Sequence, residues 1–81
     1  MQTKEEIQKI IIVIVADILI VSERAIVIED DLIKDLGADS LDTLDILIDI
    51  ESEFNIVISD EDANECKTIT DIVNCVCMYL K

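Results

Sequence analysis

Residues 37–54, GADSLDTLDILIDIESEF, contain the pattern that decides the fold of this 81-residue chain. A glycine is followed by a polar, acidic start, and apolar residues then recur every three or four positions. This spacing predicts an amphipathic helix from about Ser40 to Phe54, wound at about 100° per residue. One side of the helix, expected to face the core, collects Thr43, Ile46, Leu47, Ile50 and Phe54. Gly37 should provide the backbone freedom for a sharp entry into this helix.

A second apolar stripe runs along nearly the opposite side of the same helix. Its members are Leu41, Leu44 and Ile48. Acidic residues border the stripe on both edges, namely Asp42, Asp45, Asp49 and Glu51. An apolar strip with an acidic rim is typical of a docking surface for a partner with an apolar groove and a basic margin. The alternative is that another helix of the same domain buries the stripe.

Ser40, at the start of this helix, has three interpretations. The simplest is a helix N-cap, whose hydroxyl accepts a hydrogen bond from a first-turn amide. A catalytic serine needs an adjacent base, and the chain contains no histidine, which disfavours catalysis. A modified serine is the third, because the N–H groups and dipole of a helix N-terminus favour a phosphate ester. Capping and modification both stay open at this point.

Length and composition limit the architecture. Eighty-one residues suit one small domain, and 52% hydrophobic residues with 2% aromatic residues require an aliphatic core. One glycine and no proline provide few turn signals, which favours helices over a sheet of short strands. We therefore expect an all-α fold whose single domain spans residues 1–81.

Capping signals predict three further helices. Thr3 and Glu6 form a capping box before a long first helix. The core stripe of that helix is Ile7, Ile10, Ile11, Ile14, Ile18 and Leu19. Ser59 precedes a short, acidic third helix, and Thr68 with Asp71 precedes a fourth.

The segment from Val21 to Leu36 lacks helical periodicity and is expected to be a long loop between helices 1 and 2. Four of its apolar residues are expected to anchor it on the core, namely Ile26, Ile28, Leu32 and Leu36. The prediction is thus a four-helix bundle with a long first connection and a short third helix.

The first helix carries a second apolar stripe roughly opposite its core stripe. The stripe comprises Ile12, Val13, Ala16 and Ile20. A helix that is apolar on all sides should be buried on all sides, whereas polar residues are expected here in a small bundle. We expect the protein to be a monomer. We hypothesise that this stripe is an exposed patch, which drives self-association or contacts a partner.

The chain has 19 acidic and 6 basic residues and a formal net charge of −13. No Lys or Arg lies between Lys34 and Lys67. Such a charge repels nucleic acid and anionic lipid and attracts basic protein surfaces or divalent cations. We therefore expect basic protein partners and no nucleic-acid partner.

Cysteine usage and hydropathy exclude further classes. Cys66, Cys75 and Cys77 lack the spacing and the histidines of a zinc site, so reduced thiols and no bound metal are expected. The longest apolar run, residues 10–21, contains Asp17 and is shorter than the roughly 20 residues of a membrane span. A signal peptide is disfavoured as well. These features predict a protein of the bacterial cytoplasm, or a mature organellar form.

Residues 35–63, DLGADSLDTLDILIDIESEFNIVISDEDA, closely resemble the acyl carrier proteins of fatty-acid synthesis, and a looser similarity covers essentially the whole chain. The resemblance implies that a separate phosphopantetheinyl transferase attaches 4'-phosphopantetheine from coenzyme A to Ser40. The thiol of that arm would carry growing acyl chains as thioesters. It also implies a carrier and not an enzyme.

The resemblance assigns roles to two groups of residues. The docking group would present the cargo to fatty-acid synthesis enzymes with basic docking patches, and it comprises Asp39, Leu41, Asp42, Leu44, Asp45, Ile48 and Glu51. The pocket group would surround the acyl chain, and it comprises Ile46, Ile50, Phe54, Ile58, Ala63 and Cys66. Three positions depart from the family pattern. Ser59 replaces a usual proline, Ser52 a frequent acid, and Ile20 a frequent glycine.

Two alternatives to a fatty-acid carrier stay open. One is a specialised thiolation carrier, for polyketides or D-alanine. The other is a docking subunit that keeps the fold but is never modified, against which the intact GADSLD motif argues.

Overall fold

The computed structural model describes residues 2–80, most of which lie in four α-helices. The helices are α1 (Lys4–Leu19), α2 (Ser40–Phe54), α3 (Asp60–Glu65) and α4 (Ile69–Tyr79), and a 3₁₀ turn (Glu23–Ala25) lies between α1 and α2. Residues 2–80 contain no β-strand, although an isolated bridge joins Asp31 to Thr68. The predicted all-α fold with four helices, a long first connection and a short third helix is confirmed. Within the same residues, no helix is long and apolar enough to cross a bilayer.

The helices begin at the predicted capping residues. The hydroxyl of Thr3 accepts a hydrogen bond of 3.2 Å from the Glu6 amide, and the Glu6 carboxylate accepts one of 2.9 Å from the Thr3 amide. Thr68 and Asp71 form the same reciprocal pair at the start of α4. Ser59 caps α3. Each cap stabilises its helix by about 1 kcal/mol, so local sequence fixes these starts.

The core is almost entirely aliphatic. Its most deeply buried side chains are Ile11, Val15, Ile46, Ile50, Ile69, Ile72, Val73 and Val76. Burial of one such side chain stabilises the fold by roughly 1.5–3 kcal/mol. On the predicted inward side of α2, Ile46, Ile50 and Phe54 are buried, and Thr43 and Leu47 are half-buried.

α1 is the central helix, which explains why so much of its surface is apolar. It packs against α4, α2 and the 3₁₀ turn. The hypothesised exposed stripe on α1 is therefore wrong as a continuous patch. Ala16 lies in the core, and Ile12 is partly buried against it. Val13 and Ile20 are the exposed members of that set.

α1 ends at Ile20 without the glycine expected at such a position. Ile20 adopts the left-handed conformation, with φ 57° and ψ 52°, and its amide donates to the Ala16 carbonyl. This conformation is strained for a β-branched residue. The side chain is 89% exposed, so little packing offsets the strain.

The long connection between α1 and α2 is irregular but well anchored. Leu32 is buried, and the other expected anchors pack against the core. The Leu32 amide donates to the Lys67 carbonyl over 2.9 Å, and the Thr70 amide donates to the Ile28 carbonyl over 3.1 Å. These bonds tie the connection to the start of α4. Gly37, with φ 78°, then turns the chain into α2 as predicted.

Candidate functional site

Asp39 caps α2, which leaves Ser40 as the first helical residue. The Asp39 carboxylate accepts a hydrogen bond of 2.8 Å from the Asp42 amide, and the Asp42 carboxylate accepts one of 3.2 Å from the Asp39 amide. The N-cap interpretation of Ser40 is wrong, because Asp39 is the N-cap and forms a reciprocal pair with Asp42. Ser40 is exposed at the helix N-terminus. Its hydroxyl is therefore not committed to capping.

A cavity of about 790 Å³, open to solvent, lies beside Ser40. The connection, α2, α3 and the start of α4 all contribute to its walls. The lining consists of Asp31, Leu32, Ile33, Lys34, Ser40, Thr43, Leu44, Ile46, Leu47, Asp60, Ala63, Asn64, Cys66, Lys67 and Ile72. The helix that bears Ser40 thus forms part of the wall of a cavity lined by both apolar and polar side chains.

The predicted pocket group divides in two. Ile46, Ala63 and Cys66 line the cavity. Ile50, Phe54 and Ile58 are buried in the core and do not line it. A ligand in the cavity would reach these three side chains only if the core parted around Ile46. Their role in holding an acyl chain stays a prediction.

Two lysines border the cavity, which sequence reasoning missed. Lys34 and Lys67 mark the two ends of the segment without basic residues, and the fold brings both to the same cavity. Their separation along the chain gives no local signal of this. The two lysines line the same cavity because the Leu32 amide donates a hydrogen bond to the Lys67 carbonyl and so joins the two segments.

Asp31 organises the rim between these lysines. Its carboxylate accepts hydrogen bonds of 2.9 Å from the amides of Ile33 and Lys34. The bond from the Lys34 amide is the largest cause that lowers the pKa of Asp31, and the charges of Lys34 and Lys67 act in the same direction. The ionised form of Asp31 therefore holds the turn that precedes Leu36.

The second stripe of α2 lies on the surface. Leu41, Leu44 and Ile48 are 71%, 53% and 50% exposed, and Asp45 and Asp49 beside them are exposed too. The alternative, that another helix of this domain buries the stripe, is therefore wrong. The arrangement is an apolar strip with an acidic border, and its use for docking stays a prediction.

Two acids of the predicted docking group are engaged within the fold. Asp42 is half-buried and belongs to the cap of α2. Glu51 is half-buried as well, and its carboxylate accepts a hydrogen bond of 2.7 Å from the Ile58 amide. Asp45 is fully on the surface, and Asp39 is exposed although it also caps the helix. The four carboxylates of this group thus differ in their exposure to solvent and in whether they are already hydrogen-bonded within the fold.

Cys75 is buried, and Cys66 and Cys77 are half-buried. Cys66 donates to the Asp62 carbonyl over 3.2 Å, and burial raises the pKa of Cys66 to about 12. Burial also raises the pKa of Cys75. None of the three cysteines forms a disulfide bond. Within residues 2–80 the structure contains no group of His, Cys, Asp or Glu side chains suited to a metal ion.

Known proteins are similar to this chain in sequence and in fold. The family described as "Phosphopantetheine attachment site" matches residues 9–76, which include Ser40. The acyl carrier protein of Cyanidium caldarium is 44% identical over 73 residues, which cover 90% of this chain and 85% of that protein. This chain belongs to the acyl carrier protein family. The acyl carrier protein of Thermotoga maritima is 42% identical over 74 residues, or 91% of each chain.

A solved structure of the acyl carrier protein from Enterococcus faecalis has the same fold. It matches with a TM-score of 0.80 and 26% identity, over 96% of this carrier and 99% of that chain. As a family member, the protein carries acyl chains on phosphopantetheine and works with the enzymes that synthesise them. The expected carrier function without enzymatic activity, and the expected cofactor, are confirmed.

The start of α2 fits this cofactor. When bound, phosphopantetheine supplies a thiol on a flexible arm, to which acyl groups attach as thioesters. The carrier offers an exposed serine hydroxyl at a helix N-terminus, where the helix dipole favours a phosphodiester. The cavity beside that hydroxyl offers apolar side chains to an acyl chain.

Proposed function

We propose that this carrier serves fatty-acid synthesis, that Ser40 bears the phosphopantetheine, and that residues 1–81 form one carrier domain. The observation that supports this most strongly is the exposed Ser40 at the first position of α2, beside a cavity of about 790 Å³. Asp39 takes the capping role, so modification of Ser40 costs the helix no cap. The predicted location is the bacterial cytoplasm or an organelle after processing.

The exposed strip of α2 is proposed as the docking surface for the transferase and for fatty-acid synthesis enzymes. Leu41, Leu44 and Ile48 offer apolar contacts directly after Ser40. The acidic border and the net charge of −13 would steer a basic patch to this strip. Steering of this kind accelerates encounter more than it strengthens the complex, which suits a carrier that must leave each enzyme. The arm would also keep its cargo at a high local concentration near each docked active site.

The cavity is proposed as the place where the acyl chain is held. Ile46, Leu47 and Ile72 provide aliphatic lining, and Ala63 and Cys66 line the same cavity. A longer chain would pass Ile46 and meet Ile50, Phe54 and Ile58 behind it. Burial of each methylene would stabilise the loaded protein by roughly 0.8 kcal/mol, less any cost of parting the core.

The attachment test is the intact mass after incubation with coenzyme A, magnesium and a broad-specificity phosphopantetheinyl transferase. The wild-type chain should gain the mass of one phosphopantetheine group, and Ser40→Ala should gain nothing. Ser52→Ala removes another exposed serine of α2 and serves as the matched control, which should be modified like the wild type. An unmodified wild-type chain would favour a docking subunit without an arm.

The cargo test compares loading of the modified carrier. A fatty-acid carrier should accept malonyl groups from a malonyl transferase and support elongation by a ketosynthase. Efficient loading by a D-alanyl or polyketide enzyme, without elongation, would instead establish a specialised carrier. Leu44→Ala and Asp45→Asn should each lower kcat/KM for these enzymes, because they remove one apolar and one charged contact of the docking strip.

A further inference from the structure

Tyr79, in the last turn of α4, is hydrogen-bonded to the N-cap residue of α3 and to a residue in the first turn of that helix. Its hydroxyl donates a hydrogen bond of 2.6 Å to the Asp62 carboxylate and accepts one of 3.0 Å from the Ser59 amide. The shorter bond has the length typical of a hydroxyl bound to an ionised carboxylate, a strong class of hydrogen bond. The two bonds span 17 and 20 residues of chain, so they are tertiary contacts and not local caps.

α3 has few other attachments to the rest of the protein. It has six residues, none of them is fully buried, and Ala63 is its one apolar side chain packed against the core. The close helix packing of the bundle involves α1 with α2 and α4, and not α3. An element with little buried surface opens locally at low free-energy cost. The two bonds of Tyr79 should therefore account for a large part of what holds α3 in place.

α3 also forms part of the wall of the cavity beside Ser40. Asp60, Ala63 and Asn64 line that cavity, whereas Tyr79 lies outside it. A displacement of α3 would therefore widen the cavity without any change at Ser40 or on the docking strip. Tyr79 can therefore affect the position of this wall although it does not line the cavity.

We propose that the Tyr79 hydroxyl is a latch that holds α3 closed against the cavity and thereby positions this wall for the acyl cargo. The part of the proposal that concerns cargo rests on the proposed function of the cavity. The part that concerns α3 does not, because the bonds exist in the chain without an arm. Tyr79 is a positioning residue, since it acts through Asp62 and Ser59.

The latch is tested by hydrogen exchange of the unmodified full chain. Tyr79→Phe keeps the ring and removes the hydroxyl, and amide exchange in residues 59–66 should become about tenfold faster or more. Asp62→Asn keeps an acceptor for the Tyr79 hydroxyl and should give a smaller increase. Thr3→Ala weakens the N-cap of α1, which takes no part in either Tyr79 bond, and controls for a general loss of stability. Unchanged exchange of α3 in Tyr79→Phe would overturn the latch.

The effect on cargo is tested with the arm loaded with an octanoyl or an acetyl group. Hydroxylamine cleaves exposed thioesters, so a chain held in the cavity is protected from it. We expect Tyr79→Phe to accelerate cleavage of the octanoyl thioester several-fold and to leave the acetyl thioester unchanged. Thr3→Ala should change neither rate.

The outcomes separate the latch from the proposed function. Faster exchange of α3 with unchanged octanoyl protection would overturn control of the cargo by Tyr79. Equal cleavage of octanoyl and acetyl groups in the wild type would contradict the proposed cavity, and the exchange experiment would still decide whether Tyr79 holds α3. Failure of Ser40 to accept the arm would likewise count against the proposed function and not against the latch.

Discussion

The carboxylate of Glu51 accepts a hydrogen bond of 2.7 Å from the backbone amide of Ile58. The bond connects the last turn of α2 to the segment that enters α3, and it forms in a partly buried position. Ile58 itself is 7% exposed. Glu51 therefore belongs to the architecture of the fold as well as to the predicted rim of the docking surface.

Removal of this acceptor should destabilise the protein. We expect Glu51→Ala to lower the free energy of unfolding by about 1.5–3 kcal/mol, because the bond involves a charged group and the Ile58 amide would lose its partner. Glu51→Gln keeps an acceptor and should cost less. Asp49→Ala, an exposed acid of the same helix, is the matched control and should change little. Urea unfolding provides the measurement, and equal stabilities of the Glu51→Ala and Asp49→Ala variants would contradict the assignment.

Ile20 should be a site where a glycine stabilises the protein. Its positive φ of 57° costs roughly 1–2 kcal/mol for a residue with a side chain, and glycine avoids most of that cost. Because the Ile20 side chain is 89% exposed, little packing is lost. Ile20→Gly should therefore raise the melting temperature by several degrees, at roughly 4–8 °C per kcal/mol.

The control for Ile20→Gly is Ile33→Gly. Ile33 is also an exposed isoleucine, at 56%, but its φ is not positive. Glycine at this position gains no relief of strain and increases the entropy of the unfolded chain, so the melting temperature should not rise. Stabilisation of both variants, or of neither, would show that backbone strain at Ile20 is not the cause.

The helices were predictable because their signals are local. The capping pairs Thr3 with Glu6 and Thr68 with Asp71 act within one turn, and the spacing of Ile46, Ile50 and Phe54 is a property of one helix. Such signals need no knowledge of the tertiary fold. They place the helix starts and the inward side of α2 correctly.

Misplaced features depend on relations between elements. Ala16 was expected on an exposed stripe, but α1 is contacted on several sides, which winding a single helix cannot reveal. A capping role for Ser40 was one of the open interpretations, but Asp39 is the N-cap of α2 and Ser40 is the first residue of the helix. Lys34 and Lys67 line the same cavity because a backbone hydrogen bond joins Leu32 to Lys67. A long-range bond of this kind produces no periodic pattern in the sequence.

Asp31 should give the protein a pH-dependent component of stability. Hydrogen bonds from the backbone amides of Lys34 and Ile33 lower the pKa of Asp31 in the folded state. A lowered pKa contributes stability that is fully present above the pKa of the unfolded chain, near 3.8, and is lost as the pH falls through the folded-state value. Asp31→Asn should therefore be less stable than the wild type at neutral pH, and the difference should shrink in acid.

Thermal unfolding of both proteins between neutral and strongly acidic pH measures this difference. Asp17→Asn removes one charge from an exposed position of α1 and controls for the general effect of reduced negative charge. A difference between wild type and Asp31→Asn that stays constant across the whole range would exclude the ionised Asp31 carboxylate as the source.

Cys66 should resist alkylation, although it lines a cavity that is open to solvent. Only the thiolate reacts with iodoacetamide, and burial raises the pKa of Cys66 to about 12. At about pH 8 Cys66 should hold roughly a thousandfold less thiolate than an unperturbed thiol of pKa near 8.5. Peptide mapping after a brief exposure should find Cys66 unlabelled in the folded chain and labelled in concentrated guanidinium.

In the carrier with its arm attached, the arm thiol should be alkylated first, and Ser40→Ala should lack that fast reaction. Labelling of folded Cys66 at the rate of a small free thiol would mean that water reaches it and that the apolar wall of the cavity is not closed at that point.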